Sequence, residues 1–103
     1  MAVISVTEQN FESVVLNAQK PVLIDFYATW CGPCKMLSPL VDEVAKELAG
    51  DAVVVKVNVD DAPSLASKFG VSAIPTLVVV KNGKPYRQSV GYISKEEILD
   101  LLK

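Results

Sequence analysis

The sequence predicts an α/β domain, a central mixed five-stranded sheet flanked by four helices, from runs ordered βαβαβα and then ββα. Strands that alternate with helices through the first part of the chain argue for parallel pairing by right-handed crossovers. Near the end, Asn82-Gly83 separates two β-rich runs directly, and that dipeptide makes them an antiparallel hairpin. Two further runs, Val22 to Ala28 and Ala52 to Val59, are apolar on both alternating sides, as strands buried on both faces are.

Taken in order, Val3 to Val6 reads as a short first strand. Thr7 then stands at an N-cap position ahead of Phe11, Val14, Val15 and Ala18 at helical spacing, which predicts a first helix ending before Pro21. Val22 to Ala28 is too short for an ordinary helix and is closed by Gly-Pro punctuation, so it is read as the central strand. From Cys34 onward, Leu37, Leu40, Val41, Val44 and Leu48 form one apolar stripe that Gly50 ends, and Pro39 inside it predicts a kink. Ala52 to Val59 follows as a strand rich in valine. Asp61 as cap, Pro63 in the first turn, Leu65, Ala66 and Phe69 on one face and Gly70 beyond predict a short helix. Thr76 to Lys81 and Tyr86 to Val90 are the hairpin strands, with Pro85 marking the second as an edge. Ser94 and Glu97 form a capping box before Ile98, Leu99, Leu101 and Leu102, the terminal helix.

A chain of 103 residues, half of them hydrophobic, is expected to be one domain over 1–103 with a core of its own. Its net charge of −2, with both signs interspersed, gives no footprint for nucleic acid or an anionic membrane, so neither partner is expected. Met1 to Glu8 lacks a basic segment followed by a long apolar one, and no apolar run reaches spanning length. A cytoplasmic location follows as the expectation, and a monomer is the expected state.

The two cysteines, Cys31 and Cys34, and the single tryptophan, Trp30, fall together where the central strand turns into a helix. Side chains at i and i+3 of a helix start lie about 5–6 Å apart at Cβ, close enough for a disulfide. A disulfide closing so short a loop removes little entropy from the unfolded chain, so chemistry explains the pair better than stability does. A thiolate is the nucleophile of disulfide exchange, and a free cysteine at pKa ~8.5 is mostly protonated at neutral pH. Cys31, at the helix N-terminus, meets unpaired N–H groups and the positive end of the dipole; Cys34, inside the first turn, shares less of that exposure. Cys31 is thus the expected attacking thiolate and Cys34 the resolving thiol. Gly32 permits close approach of another chain, and Pro33 fits a first turn that does not need its N–H. A zinc site needs about four N/S ligands, and two cysteines without histidine cannot supply them inside one molecule; a site shared between chains, or an inert structural pair, are the alternatives.

The central strand also carries Asp25, on the same face as Leu23 and Tyr27. Covered on both sides, its carboxyl is desolvated and its pKa raised; the alternative is a gatekeeper charge facing solvent. Lys56 interrupts the Val53 to Val59 run, and its stem alone can account for it if the ammonium reaches water.

The run Trp30-Cys31-Gly32-Pro33-Cys34-Lys35, the aspartate six residues before the first cysteine, and Ile74-Pro75-Thr76 together resemble the thioredoxin family, over essentially the whole chain. The resemblance implies the thioredoxin fold and a protein-disulfide reductase activity, with no cofactor beyond the redox-active Cys31–Cys34 pair. It implies disulfide-containing target proteins and a thioredoxin-reductase-type flavoprotein that restores the dithiol. By the same resemblance, Asp25 lies near Cys34 and exchanges its proton through a water, with Lys56 beside it. Pro75 is then cis and faces the dithiol, Ile74 offers backbone contacts, and Gly32, Pro33, Val90 and Gly91 complete a shallow apolar docking surface beside Trp30. Ordinary core packing is the other reading of Trp30. Tyr27 stands where many family members have a second tryptophan, and Ala73 where a glycine often precedes the Ile-Pro pair.

Two other functions fit the residues: a disulfide oxidase or isomerase on the same fold, and a non-redox binding module. Direction depends on reduction potential, where ~30 mV corresponds to about 1.4 kcal/mol for a two-electron couple. The Gly-Pro pair between the cysteines and the missing export segment favour the reductant.

Overall fold

The computed structural model describes residues 3–103. Its strands are β1 (Ile4–Ser5), β2 (Val22–Tyr27), β3 (Val53–Asn58), β4 (Thr76–Lys81) and β5 (Lys84–Val90), in the spatial order β1-β3-β2-β4-β5. β3 runs parallel to both β1 and β2, whereas β4 is antiparallel to β2 and β5 to β4, giving the mixed sheet that the element order predicts. Four helical segments cover it: a short turn of π type at Glu12–Leu16, α1 (Gly32–Glu47), α2 (Pro63–Lys68) and α3 (Lys95–Leu101).

Alternation along the strands divides the core in two. Val22, Ile24 and Phe26 of β2 join Val55, Val57, Val78 and Val80 on the face covered by Phe11, Val15, Leu65 and Ala66. Leu23, Val54, Leu77 and Val79 point the other way, onto Leu37, Val41 and Val44 of α1 and Ile98 of α3. Each fully buried aliphatic or aromatic side chain here contributes roughly 1.5–3 kcal/mol of transfer free energy. β2, at the centre, is covered on both faces, and this is why its one polar residue, Asp25, is buried.

The hairpin forms as its dipeptide requires, with positive φ at Asn82 (53°) and Gly83 (76°), the backbone of a type I′ turn. A register shift between Val79 and Val80 lets Pro85 pair opposite Val80, and the strand that carries Pro85 is an edge. The capping box is present: Ser94 Oγ accepts from Glu97 N at 3.2 Å, and Glu97 Oε1 accepts from Ser94 N at 3.1 Å.

Two expected caps are displaced. Thr7 does not start the first helix: Asn10 Oδ1 takes the Thr7 N–H at 2.8 Å, Thr7 Oγ1 takes that of Gln9 at 3.3 Å, and Asn10 Nδ2 donates to Ser5 O. These local side-chain bonds hold residues 7–10 in a turn; the first i→i−4 bond, Val14 N on Asn10 O at 3.0 Å, leads into the π turn at Glu12–Leu16, which closes with Asn17 N on Glu12 O. Nor does Asp61 cap α2, whose N-cap is Ala62 without a side-chain bond. The preceding turn hangs instead on Asn58, whose carbonyl accepts from Asp61 N and Ala62 N and whose Oδ1 accepts from Asp60 N. Pro39 is held inside α1, which runs on to Glu47. Its missing N–H leaves the Lys35 carbonyl without the usual helical partner.

Candidate active site

The C-terminal ends of the parallel strands β2 and β3 open toward the start of α1, and the residues singled out by the sequence gather there. Parallel pairing sets Asp25 beside Lys56 and Tyr27 beside Asn58, and Val59 N bonds Tyr27 O at 2.9 Å, so the loops leaving the two strands start side by side. The first loop, 28–31, is closed by Cys31 N on Ala28 O, and it feeds directly into α1.

Cys31 is the N-cap of α1, in extended conformation, with Pro33 in the first turn. It is joined to Cys34 in a disulfide with Cα atoms 5.3 Å apart. Cys34 N donates to Cys31 Sγ at 3.2 Å, so one of the orphan N–H groups of the helix start is aimed at the first sulfur. Cys31 Sγ also lies 3.9 Å from the Ile74 carbonyl oxygen. The two cysteines are about equally covered from solvent in the disulfide form, 5% and 4% exposed. What distinguishes the sulfurs is the helix terminus: only Cys31 receives its N–H.

Asp25 is 5% exposed, and its Oδ1 has no hydrogen-bond partner among the described residues. Burial pushes its carboxyl up from the ordinary 3.8 to about 7, against the opposing pull of the Lys56 ammonium and with a small reinforcement from the Asp42 carboxylate. The solvent-facing alternative is thereby excluded. A cavity of about 310 Å³ is lined by Asp25, Cys34 and Lys56, together with Tyr27, Lys35 and Ser38. It opens the buried carboxyl and the second cysteine onto one space, roomy enough for solvent to carry a proton between them.

The residues that the resemblance marks for docking lie together around the disulfide. The Ile74–Pro75 peptide is cis, Pro75 O accepts from Gly91 N at 2.8 Å, and Thr76 pairs with Val90 across β4 and β5, which brings residues 74, 75, 90 and 91 together. Val90, Gly32 and Pro33 are exposed. Trp30 is 69% exposed, which rules out core packing for it. Its ring borders a crevice of about 190 Å³ with Val59, Ala66, Val71, Ala73 and Ile74. Its indole Nε1 donates to Asp60 Oδ2 at 2.9 Å. The sequence reading passed over Asp60, because thirty positions separate it from Trp30 and no spacing rule links them. The one available signal was that an indole N–H wants an acceptor.

Among the described residues, no group of three or more histidine, cysteine, aspartate or glutamate side chains could hold a metal ion, and no helix is long and apolar enough to cross a membrane.

The family model described as Thioredoxin matches residues 2–103. The chain is 45% identical over 100 residues to a thioredoxin of Haemophilus influenzae, covering 97% of this chain and 94% of that one. It is 45% identical over 102 residues to one from Staphylococcus haemolyticus, covering 99% and 96%. With one from Mycobacterium tuberculosis the identity is 48% over 98 residues, covering 95% and 84%.

Proposed function

The chain belongs to the thioredoxin family and is a thiol-disulfide oxidoreductase that reduces protein disulfides, and from that premise we propose which of its residues perform each step. In the dithiol form Cys31, as thiolate, attacks one sulfur of a target disulfide; a mixed disulfide forms and the other target sulfur leaves as a thiolate. Cys34, deprotonated, then attacks Cys31 Sγ, the second target sulfur leaves, and the Cys31–Cys34 disulfide remains. Two electrons have passed to the target, and the thiolates released take up two protons. The observation that carries the assignment is the Cys34 N–H aimed at Cys31 Sγ at the start of α1.

Asp25 takes the proton of Cys34 as resolution begins. The shared cavity, a carboxyl titrating near 7 and the absence of a partner for Oδ1 among the described residues support this role. Lys56, next to Asp25 in the β2–β3 register, moderates the proton affinity of that carboxyl. Trp30, Gly32, Pro33, Ile74, Val90 and Gly91 receive an extended segment of the target, and Pro75 sets the backbone of Ile74 toward it. The chain acts as one domain over 1–103, as a monomer in the cytoplasm, with no cofactor beyond its own disulfide, and a thioredoxin-reductase-type flavoprotein returns its two electrons.

The test is covalent capture. Cys34→Ser leaves Cys31 able to attack and nothing to resolve, so incubation with an oxidised protein accumulates a mixed disulfide through Cys31 that reductant dissolves. Recovery of no such adduct defeats the assignment.

A further inference from the structure

We propose that Ser38 is a positioning residue for the resolving step: its hydroxyl holds the solvent that carries the Cys34 proton to Asp25. The proposal rests on the role given above to Asp25 and adds the group that steadies the transfer. The cavity of about 310 Å³ is walled by facing pairs of side chains. Asp25 and Lys56 stand side by side on the sheet wall, by the β2–β3 register. Cys34 and Ser38 stand one turn apart on the α1 wall, where residues at i and i+4 lie about 5–6 Å apart at Cβ. Ser38 is exposed while Cys34 and Asp25 are buried, so the serine lies at the mouth and the groups that trade the proton lie behind it. A water that takes the thiol proton as it gives one of its own to the carboxylate is left with a lone pair and a hydrogen to satisfy. The Lys35 and Lys56 ammonium groups, which only donate, can serve the lone pair but never the hydrogen. A hydroxyl can serve either, and it brings no charge that would pin the proton. Of the other hydroxyls in the lining, Tyr27 packs against the two cysteines and Thr29 lies in the loop ahead of α1, so Ser38 is the one that shares the α1 wall with Cys34. The further charges that Asp25 feels, the Lys56 ammonium and the Asp42 carboxylate another turn along α1, set its proton affinity. Stability gives no reason for the residue, since inside a helix a serine is weaker than an alanine.

The test reads the two sulfur steps apart. The dithiol form is mixed rapidly with an equimolar aromatic disulfide, dithiobis(nitrobenzoate), at concentrations where capture is complete before resolution. One coloured thiolate is released when Cys31 attacks, and a second when Cys34, its proton passed to Asp25, attacks Cys31 Sγ. Ser38→Ala removes the hydroxyl and puts the best helix former in its place, so the fold is kept. At pH ~7 it is expected to slow the second release about three- to tenfold, the factor that one lost hydrogen bond allows, and to leave the first within about twofold. The deficit is expected to close by pH ~10, where hydroxide takes the thiol proton directly, and Ser38→Thr is expected to restore the rate. In an Asp25→Asn background, itself slow in the second release, Ser38→Ala is expected to add nothing, because both substitutions act on one proton transfer. An unslowed second release in Ser38→Ala overturns the proposal. So does a deficit of the same size at every pH, or one that persists undiminished beside Asp25→Asn. A second release that stays fast in Asp25→Asn alone defeats the role of Asp25 and this proposal with it; Asp25→Asn slowed and Ser38→Ala not defeats this proposal only.

Discussion

The β4–β5 hairpin and the loops above the ends of β2 and β3 meet opposite demands. At the hairpin each residue sits where its own preferences put it. Asn82 and Gly83 take the positive φ angles they tolerate best. The Tyr86 ring centroid lies 3.9 Å from the Lys81 ammonium and 4.7 Å from the Arg87 guanidinium, and its hydroxyl donates a hydrogen bond to Lys103 O. Around the disulfide the preferences are reversed: a carboxyl is buried without a partner among the described residues, and the largest apolar side chain faces water. Stability is maximised at one place and given up at the other, where chemistry needs an ionisable group out of water and an apolar surface in it.

Substitutions sharpen the contrast, the largest effect first. Cys31→Ser removes the attacking sulfur and is expected to abolish turnover of protein disulfides while the fold persists, since the disulfide closes too short a loop to matter much for stability; insulin turnover and a thermal melt read the two halves. Turnover near the unsubstituted rate would mean that the chemistry lies elsewhere.

Asp25→Asn is expected to make the protein more stable and slower. A carboxyl titrating near 7 when folded and at 3.8 when unfolded keeps its proton longer in the folded state. Its contribution to stability therefore falls as pH rises from 3.8 to about 7 and is constant outside that window, a total of up to about 4 kcal/mol. The asparagine variant escapes that loss. Urea titrations are expected to show a gain of about 2–4 kcal/mol at pH ~8 that disappears by pH ~4, accompanied by slower reduction near neutral pH. A gain independent of pH would break the comparison, because the carboxyl would then not be the source of the instability.

At the hairpin the sign reverses. Gly83→Ala places a Cβ on a residue at φ +76°, 3.3 Å from the Leu16 carbonyl oxygen, and is expected to cost about 1–2 kcal/mol without touching turnover. Ser94→Ala, which removes half of the α3 capping box, is expected to cost about 1 kcal/mol, again with normal activity. Chemical denaturation beside an insulin assay checks both; a loss of activity in either would show that the two regions are coupled.

The same contrast explains what could be read from the sequence. Thr76 to Lys81, the Asn82-Gly83 turn and the Ser94–Glu97 box are decided by residues adjacent in the chain, and they stand where they were predicted. Thr7 and Asp61 have the right chemistry for caps, but Asn10 takes the Thr7 N–H and Asn58 that of Asp60, so the chain ahead of each helix is folded into a turn instead. Within the site, Asp25 betrayed itself by interrupting an apolar strand. Asp60 did not, because an acidic residue in a polar loop is ordinary until the fold sets an indole 2.9 Å away. The near-equal burial of Cys31 and Cys34 was equally hidden, since helix position speaks to electrostatics and not to what the neighbouring Ile74 loop covers.

The central place of β2 reaches beyond packing. Its amides and carbonyls are paired with β3 on one side and β4 on the other, under side chains that solvent does not reach, so their protons are expected to exchange with deuterium only when the whole domain opens. The reactive loop is therefore anchored, at the end of β2, to the part of the chain expected to exchange slowest.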